Sequence, residues 1–178
     1  SFFVSSEETI SRWMSDYFER IHGHIGDENY EKAKYELEMG NNNYFRGGRT
    51  YEAALLYQLY GQFYAVQSQY TDAVPWFEKA LATDKMPRIG AQEVRFQLAQ
   101  TYFMIGKYEN VITLLEEFIK IGERYKYPVS ARVNLLMSYS HGRIEQYDSS
   151  YYHIKQANNK SDKPQIDWIE YALSLIHI

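Results

Sequence analysis

The sequence predicts an all-α chain of repeated helix-turn-helix units, and three observations carry that prediction. Large and small residues recur in one order: Tyr57-x-x-Tyr60-Gly61-x-x-Tyr64 leads to Tyr70, Ala73, Phe77, Ala80 and Leu81, and Leu98-Ala99-x-x-Tyr102 leads to Gly106, Tyr108, Val111, Leu115 and Phe118. Apolar residues keep helical spacing along most of the chain. No stretch shows a strand-like alternation that competes with it. A unit of this kind cannot bury its apolar face alone, so it stacks on its neighbours and leaves an extended concave surface for binding.

The elements follow in order. Ser5-Ser6-Glu7-Glu8 reads as a cap with acids in the first turn of a helix, continued by Ile10, Met14, Tyr17 and Ile21 and ended by Gly23 and Gly26. Asp27 is placed to cap a second helix, whose apolar positions Tyr30, Ala33 and Leu37 run toward Gly40. Asn41-Asn42-Asn43 and Gly47-Gly48 then interrupt, with Tyr44 and Phe45 as a short apolar bridge. From residue 50 the pattern is regular: helices over 50–67 and 71–82, with Thr71 as the cap and Pro75 early enough for its missing donor to cost little. Residues 85–90 read as a connector. Helix pairs follow over 91–105 and 108–121 and over 130–141 and 148–157, then a polar break over 158–164 and a last helix over 165–178. The organisation expected is an irregular helical pair over 1–48, three repeats over 49–164 (50–87, 91–125, 129–160), and a terminal helix over 165–178 that is either a cap or the first helix of a fourth repeat.

Composition narrows the function classes. The 178 residues are 45% hydrophobic and 24% charged, which suits one well-buried domain that dissolves in water. Eighteen Tyr and 9 Phe give rings to bury and hydroxyls to offer a partner. The net charge is -4, with Lys and Arg scattered among acids as in Glu31-Lys32-Ala33-Lys34-Tyr35-Glu36, which argues against nucleic acid as a partner. No apolar run approaches the ~20 residues of a membrane span. Ser1-Phe2-Phe3-Val4 lacks the features of a signal peptide and reads as a processed or trimmed start. With no cysteine, disulfides, thiolate metal sites and a Cys nucleophile are excluded; the same absence fits an oxidising compartment and the cytosol equally.

The spacing W-x-x-L-G-x-x-Y…A-x-x-x-F is that of tetratricopeptide repeats, and the chain resembles them at 57–81 and 98–118. A third unit, Leu135-Leu136-x-x-Tyr139…Ser150-x-x-x-Ile154-x-x-Ala157, departs from it by a longer turn around Gly142-Arg143, and Trp168-x-x-Tyr171-Ala172-x-x-Leu175 resembles a further first helix. The resemblance implies a right-handed α-solenoid. It also implies that Gly61 and Ala99 are the small residues where the two helices of a unit touch, faced by Ala73 and Val111, with Ala80 against the following unit. A narrower likeness rests on Leu98-Ala99-Gln100-Thr101-Tyr102, Gly106-Lys107-Tyr108 and Ser161-Asp162-Lys163-Pro164-x-x-Asp167-Trp168. These phrases look like the tetratricopeptide proteins that accompany TonB-type energy-transduction systems, which implies a noncatalytic periplasmic accessory, the cytoplasm being the alternative compartment.

In that family the first helix of each unit lines the groove. Carried onto this sequence, the groove residues are Gln58 and Gln62; Phe96, Gln100 and Phe103; and Val133, Met137 and His141. Amides would pair with a peptide backbone while rings and a thioether cover its side chains. The competing account has Phe96, Phe103 and Val133 simply packing between helices. Gln58 and Gln62 stand where a carboxylate clamp would carry Lys and Asn, while Arg95, Arg132 and Asn134 are displaced from it, so that clamp is disfavoured.

Other motifs carry less. His22-x-His24 beside Asp27 and Glu28 reads as a solvated turn rather than a metal site, because residues two apart do not share a helical face. Glu116-Glu117 and Glu7-Glu8 diverge around a helix. Gly47-Gly48-Arg49 lacks the ending of a phosphate loop, and Asn159-Lys160-Ser161 is a glycosylation sequon that matters only in a eukaryotic secretory route. No catalytic, metal-ligating or cofactor-binding residues are assigned. The expectation is therefore a noncatalytic scaffold for a protein or peptide segment. Its alternative is a sensory or regulatory region of a longer signalling protein. Ile166, Ile169, Leu173 and Ile176 form an apolar stripe that predicts a homodimer through the last helix.

Overall fold

Nine helices run through the residues that the structure, a computed structural model, describes: 10–163 and 165–176, without the side chains of Ile166 and Ile176. They are α1 Arg12–Gly26, α2 Tyr30–Asn43, α3 Tyr51–Val66, α4 Tyr70–Ala82, α5 Arg88–Met104, α6 Tyr108–Tyr125, α7 Ala131–Arg143, α8 Tyr147–Lys160 and α9 Ile166–Ile176. No strand occurs among the described residues, and none of these helices is long and apolar enough to cross a membrane. The chain divides into two compact units, Ser1–Val94 and Arg95–Ile178, with the boundary inside α5.

One turn closes four helical pairs. The links at 27–29, 67–69, 105–107 and 144–146 each hold a middle residue in the left-handed region: Glu28 (φ 57°), Ser68 (φ 60°), Gly106 (φ 75°) and Glu145 (φ 62°). Two backbone bonds lock each link. The left-handed residue's N–H reaches back to Ile25 O, Ala65 O, Phe103 O or Gly142 O at 3.0–3.2 Å, and the next N–H reaches His24 O, Tyr64 O, Tyr102 O or His141 O at 2.8–3.0 Å. These bonds satisfy the carbonyls that a helix end leaves open. The second helix then starts at once, with Tyr30, Tyr70, Tyr108 or Tyr147 at its head and Ala33, Ala73, Val111 or Ser150 one turn in.

In the unit of residues 1–94, α1 turns Met14, Tyr17, Ile21 and Ile25 inward against Ala33, Leu37 and Gly40 of α2, while Phe18 is buried against Phe45. A side chain the size of Leu37 contributes about 1.5–3 kcal/mol when buried this fully. Gly40 lies against the Tyr17 ring where a Cβ would collide, and the Tyr17 hydroxyl donates to Glu36 O. Arg20 clasps the Glu36 carboxylate with two bonds, Nε–Oε1 at 2.9 Å and Nη2–Oε2 at 3.3 Å. Helix α3 is buried on most of its surface, as expected of a helix apolar nearly all round. Thr50 caps it, its Oγ1 accepting from Ala53 N at 3.2 Å. Against it α4 packs Ala73, Phe77 and Ala80, and Trp76 stacks on Tyr60 at 3.9 Å.

In the unit of residues 95–178, Ala99, Val111, Ile112, Leu115, Val133 and Met137 form the core. Serines hold α7 to α8: Ser138 Oγ donates to Ser150 O and Ser150 Oγ donates to Ser138 O, both at 2.7 Å. Helix α9 lies on α8, with Leu175 buried and the Tyr171 hydroxyl 3.2 Å from Ser150 Oγ.

Several expected boundaries are corrected. The turn of the third unit is no longer than the others: Gly142 and Arg143 belong to α7, and Gly142 is small because Tyr171 and Ser150 fill the space of a Cβ. Thr71 is not a cap, since α4 begins at Tyr70 after a turn that the backbone closes by itself. Gly23 lies within α1, and α2 continues past Gly40 to Asn43, glycine there serving close packing. Helix α5 starts at Arg88, inside the expected connector, where Pro87 O accepts from Ala91 N at 2.9 Å. Helix α6 runs on to Tyr125 before left-handed Lys126, and α8 runs on to Lys160. The expected Ser5-Ser6-Glu7-Glu8 cap and Pro164 lie outside the described residues.

The tight packing of α3 on α4 at Gly61 gives a direct test. A Cβ on Gly61 would stand 2.5 Å from Cε1 of Phe77, a rigid ring that is 1% exposed. Gly61→Ala is expected to lower stability by about 1–3 kcal/mol in urea denaturation despite alanine's better helix propensity. A stabilised variant would contradict the packing.

Candidate functional site

The shared turn sets a common register for the first helices of the pairs. Counted back equally from each left-handed residue, Ser15, Phe18, Glu19 and His22 of α1 coincide with Leu55, Gln58, Leu59 and Gln62 of α3, and Glu93 of α5 coincides with Ser15 and Leu55. These nine residues, with Ile10, line one cavity of about 380 Å³ in the unit of residues 1–94. Spacings of three and four put each set on a single helical face. Phe18, Leu55 and Leu59 form its apolar part, and Gln58 and Gln62 supply amides. Gln62 Oε1 is buried without a hydrogen-bond partner, a state that costs about 1–3 kcal/mol.

A second cavity, about 480 Å³, lies in the unit of residues 95–178 and is lined by Phe103, Tyr139, Gly142, Arg143, Tyr147, Tyr171, Ser174 and Leu175. Tyr139 and Tyr171 meet edge to face at 5.0 Å, and Phe103 meets Tyr108 likewise at 5.5 Å. Burial, then the neighbouring Tyr171 and Asp167, push the Tyr139 hydroxyl above its ordinary value, so it stays a proton donor. Tyr139 holds the register position of Gln62.

The eight residues expected to form a groove therefore divide. Gln58 and Gln62 line the first cavity, and Phe103 lines the second. Phe96 and Gln100 hold the same register as Gln58 and Gln62 and are partly buried, Phe96 packing near Phe118 with Arg132 over its ring at 5.7 Å. Val133 and Met137 lie in the core, 2% and 1% exposed, because their register matches buried Leu56 and Tyr60. His141 is buried, its Nδ1 2.6 Å from Gln146 Oε1. Sequence reasoning missed Phe18, Glu19, Leu55, Leu59, Glu93 and Tyr139. It set His22 aside as part of a solvated turn. Aligning the chain on the tyrosines that open the second helices would have found them all.

His141 and His153 stack at 5.4 Å with an interplanar angle of 7°. Lys160 Nζ donates to Asn134 Oδ1 at 2.7 Å, which turns the Asn134 amide so that Nδ2 donates to His153 Nδ1 at 3.1 Å. His153 Nδ1 must accept, so the ring is neutral, and burial first, then His141 and Lys160, push its pKa down to about 4. Among the described residues no group of three or more His, Cys, Asp or Glu side chains is placed to hold a metal ion.

Comparison with known proteins gives the fold. No protein-family model matches the chain, and no curated protein is similar to it in sequence. Among solved structures it is similar to MamA 41-end from Desulfovibrio magneticus RS-1, with a TM-score of 0.72 and 16% identity over 94% of this chain and 85% of that one. It is also similar to a Podosopora anserina putative kinesin light chain of nearly identical TPR-like repeats, with a TM-score of 0.67 and 14% identity over 82% and 74%. The fold is thus an all-α solenoid of tetratricopeptide-like repeats.

The neutral imidazole fixes a pH dependence. An unfolded histidine takes a proton near 6.5 and the folded His153 near 4, so the unfolded state binds more protons between those values. Stability is expected to fall by about 1 kcal/mol as pH drops through that window, after allowance for the ring's partial exposure. His141, Lys160 and, across from Lys160, Glu123 are the charged or titratable neighbours. Urea denaturation at both ends of the window, on wild type and His153→Gln, isolates the effect: the variant should lose less stability on acidification, and an equal loss would refute the assignment.

Proposed function

We propose that the chain is a noncatalytic scaffold that binds a protein segment through the inner faces of its first helices. The observation that carries this reading is the cavity lined by the same register of α1, α3 and α5, with a carbonyl oxygen in it that the protein leaves unbonded. A segment entering there covers Phe18, Leu55 and Leu59 and offers an N–H to Gln62 after a small turn of its terminal torsion, which is a soft one. Gln58, Gln62, Phe96, Gln100 and Phe103 are the contacts proposed, each within its own unit. Val133 and Met137 belong to the core against which Phe96 and Phe103 pack, and His141 is buried. The tetratricopeptide-like fold agrees with this role.

The likeness to TonB-system accessory proteins supports a finer reading, a periplasmic attendant of an envelope transport system. For α9 we propose a contact with a second copy of the chain, on the ground that Ile169 and Leu173, one turn apart, are 41% and 52% exposed. Sedimentation at high concentration should give a dimer that Leu173→Asp dissociates; a wild-type monomer would refute it.

Affinity capture from the source cells, run side by side with wild type and the Leu55→Glu/Gln62→Ala variant, tests the main proposal. Proteins held by the wild type should be recovered about tenfold less by a variant of unchanged circular dichroism. Equal recovery would overturn the cavity as the binding face. Envelope-transport components among the proteins lost support the finer reading, and their absence overturns it.

A further inference from the structure

The charge of the α1–α3–α5 cavity narrows what it receives. Glu19 of α1 and Glu93 of α5 both line it and both are exposed, and no Lys or Arg is among the lining residues. Neither carboxylate is in an ion pair among the described residues, whereas Glu36 and Glu117 are each held by an arginine. The lining therefore presents two anionic groups and an apolar patch of Phe18, Leu55 and Leu59, and Gln62 brings the buried, unbonded Oε1 within one side-chain torsion of the cavity. The two carboxylates and the unbonded Gln62 Oε1 call for donors.

Basic side chains combine those properties. Arginine has an aliphatic stem that lies well on apolar surface, a permanent positive charge and five N–H donors with no acceptor. A carboxylate in the same place would repel the glutamates, and a neutral amide could donate to them but would leave their charge unbalanced. The two glutamates come from different helices, so a cation between them is attracted by both. We propose that this cavity accepts an arginine or lysine side chain of the bound segment, its stem over Phe18 and Leu55, its head shared between Glu19 and Glu93, and one N–H donated to Gln62 Oε1. This deepens the proposed function and rests on it.

The test uses the full chain and three pools of short, end-blocked peptides with random Leu, Val, Phe, Ala and Gln flanks. The central residue is arginine, its neutral isostere citrulline, or glutamate. Fluorescence anisotropy at low salt should show the arginine pool binding about tenfold more tightly than the citrulline pool, with the glutamate pool weakest. High salt should shrink that gap, because exposed carboxylates are screened. Glu19→Gln/Glu93→Gln, both at exposed positions, should bring the arginine and citrulline pools within about twofold of each other. Equal binding of arginine and citrulline by the wild type, or a gap that survives in the double variant, would overturn the cation preference and leave the binding face standing. No binding by any pool would overturn both.

Discussion

The left-handed residue between paired helices is the constraint on which this fold depends. It costs about 1–2 kcal/mol at a non-glycine position, and Glu28, Ser68 and Glu145 accept that cost where Gly106 avoids it. Two backbone hydrogen bonds across each turn offset it and close the first helix, joined at the end of α3 by Gln67 Nε2, which donates to Phe63 O at 2.8 Å. Because the same geometry occurs four times, the phase of each first helix relative to its partner is the same four times.

That phase separates the two faces of every first helix. The positions of Ile21, Gly61, Ala99 and Ser138 are buried against the second helix, and close approach there explains the small side chains of the last three. In Gly61 the space of a Cβ is already taken by Phe77, and in Ser138 the hydroxyl is consumed by the Ser150 carbonyl. The adjacent face is then free to vary, from Phe18 to Gln58 to Phe96, and from His22 to Gln62 to Gln100 to Tyr139. Packing sets one face and chemistry the other. The binding we propose uses the varied face, where an apolar patch, amides and carboxylates come together in the first unit and aromatic hydroxyls with Arg143 in the second.

The helices and their pairing were legible because Tyr57–Leu81 and Leu98–Phe118 repeat large and small residues in the same order. Turns were less legible, since glycine was taken as their mark. Only Gly106 among the four turn centres is glycine, whereas Gly40, Gly61 and Gly142 sit inside helices, against Tyr17, Phe77 and Tyr171. Reading Gly142 as a turn moved the third unit out of phase, which is why Val133 and Met137 were set in the groove and Tyr139 was not. Gln58 and Gln62 fall in the cavity because their pair keeps its phase. Glu19 and Glu93 were missed because an isolated acid on a helix reads as a solvated face; only the cavity joins them.

Register is the claim on which both the fold and the binding face stand, and the absence of cysteine makes it directly measurable. Single cysteines would replace Gln62 and Tyr139, which line cavities, and Tyr60 and Met137, which share another register and are 4% and 1% exposed. Reaction with a small thiol reagent under native conditions should be fast at positions 62 and 139 and slower by orders of magnitude at 60 and 137, where it waits for local opening. Fast modification at 137 with protection at 139 would contradict the shared phase, and the binding face built on it would fall with it.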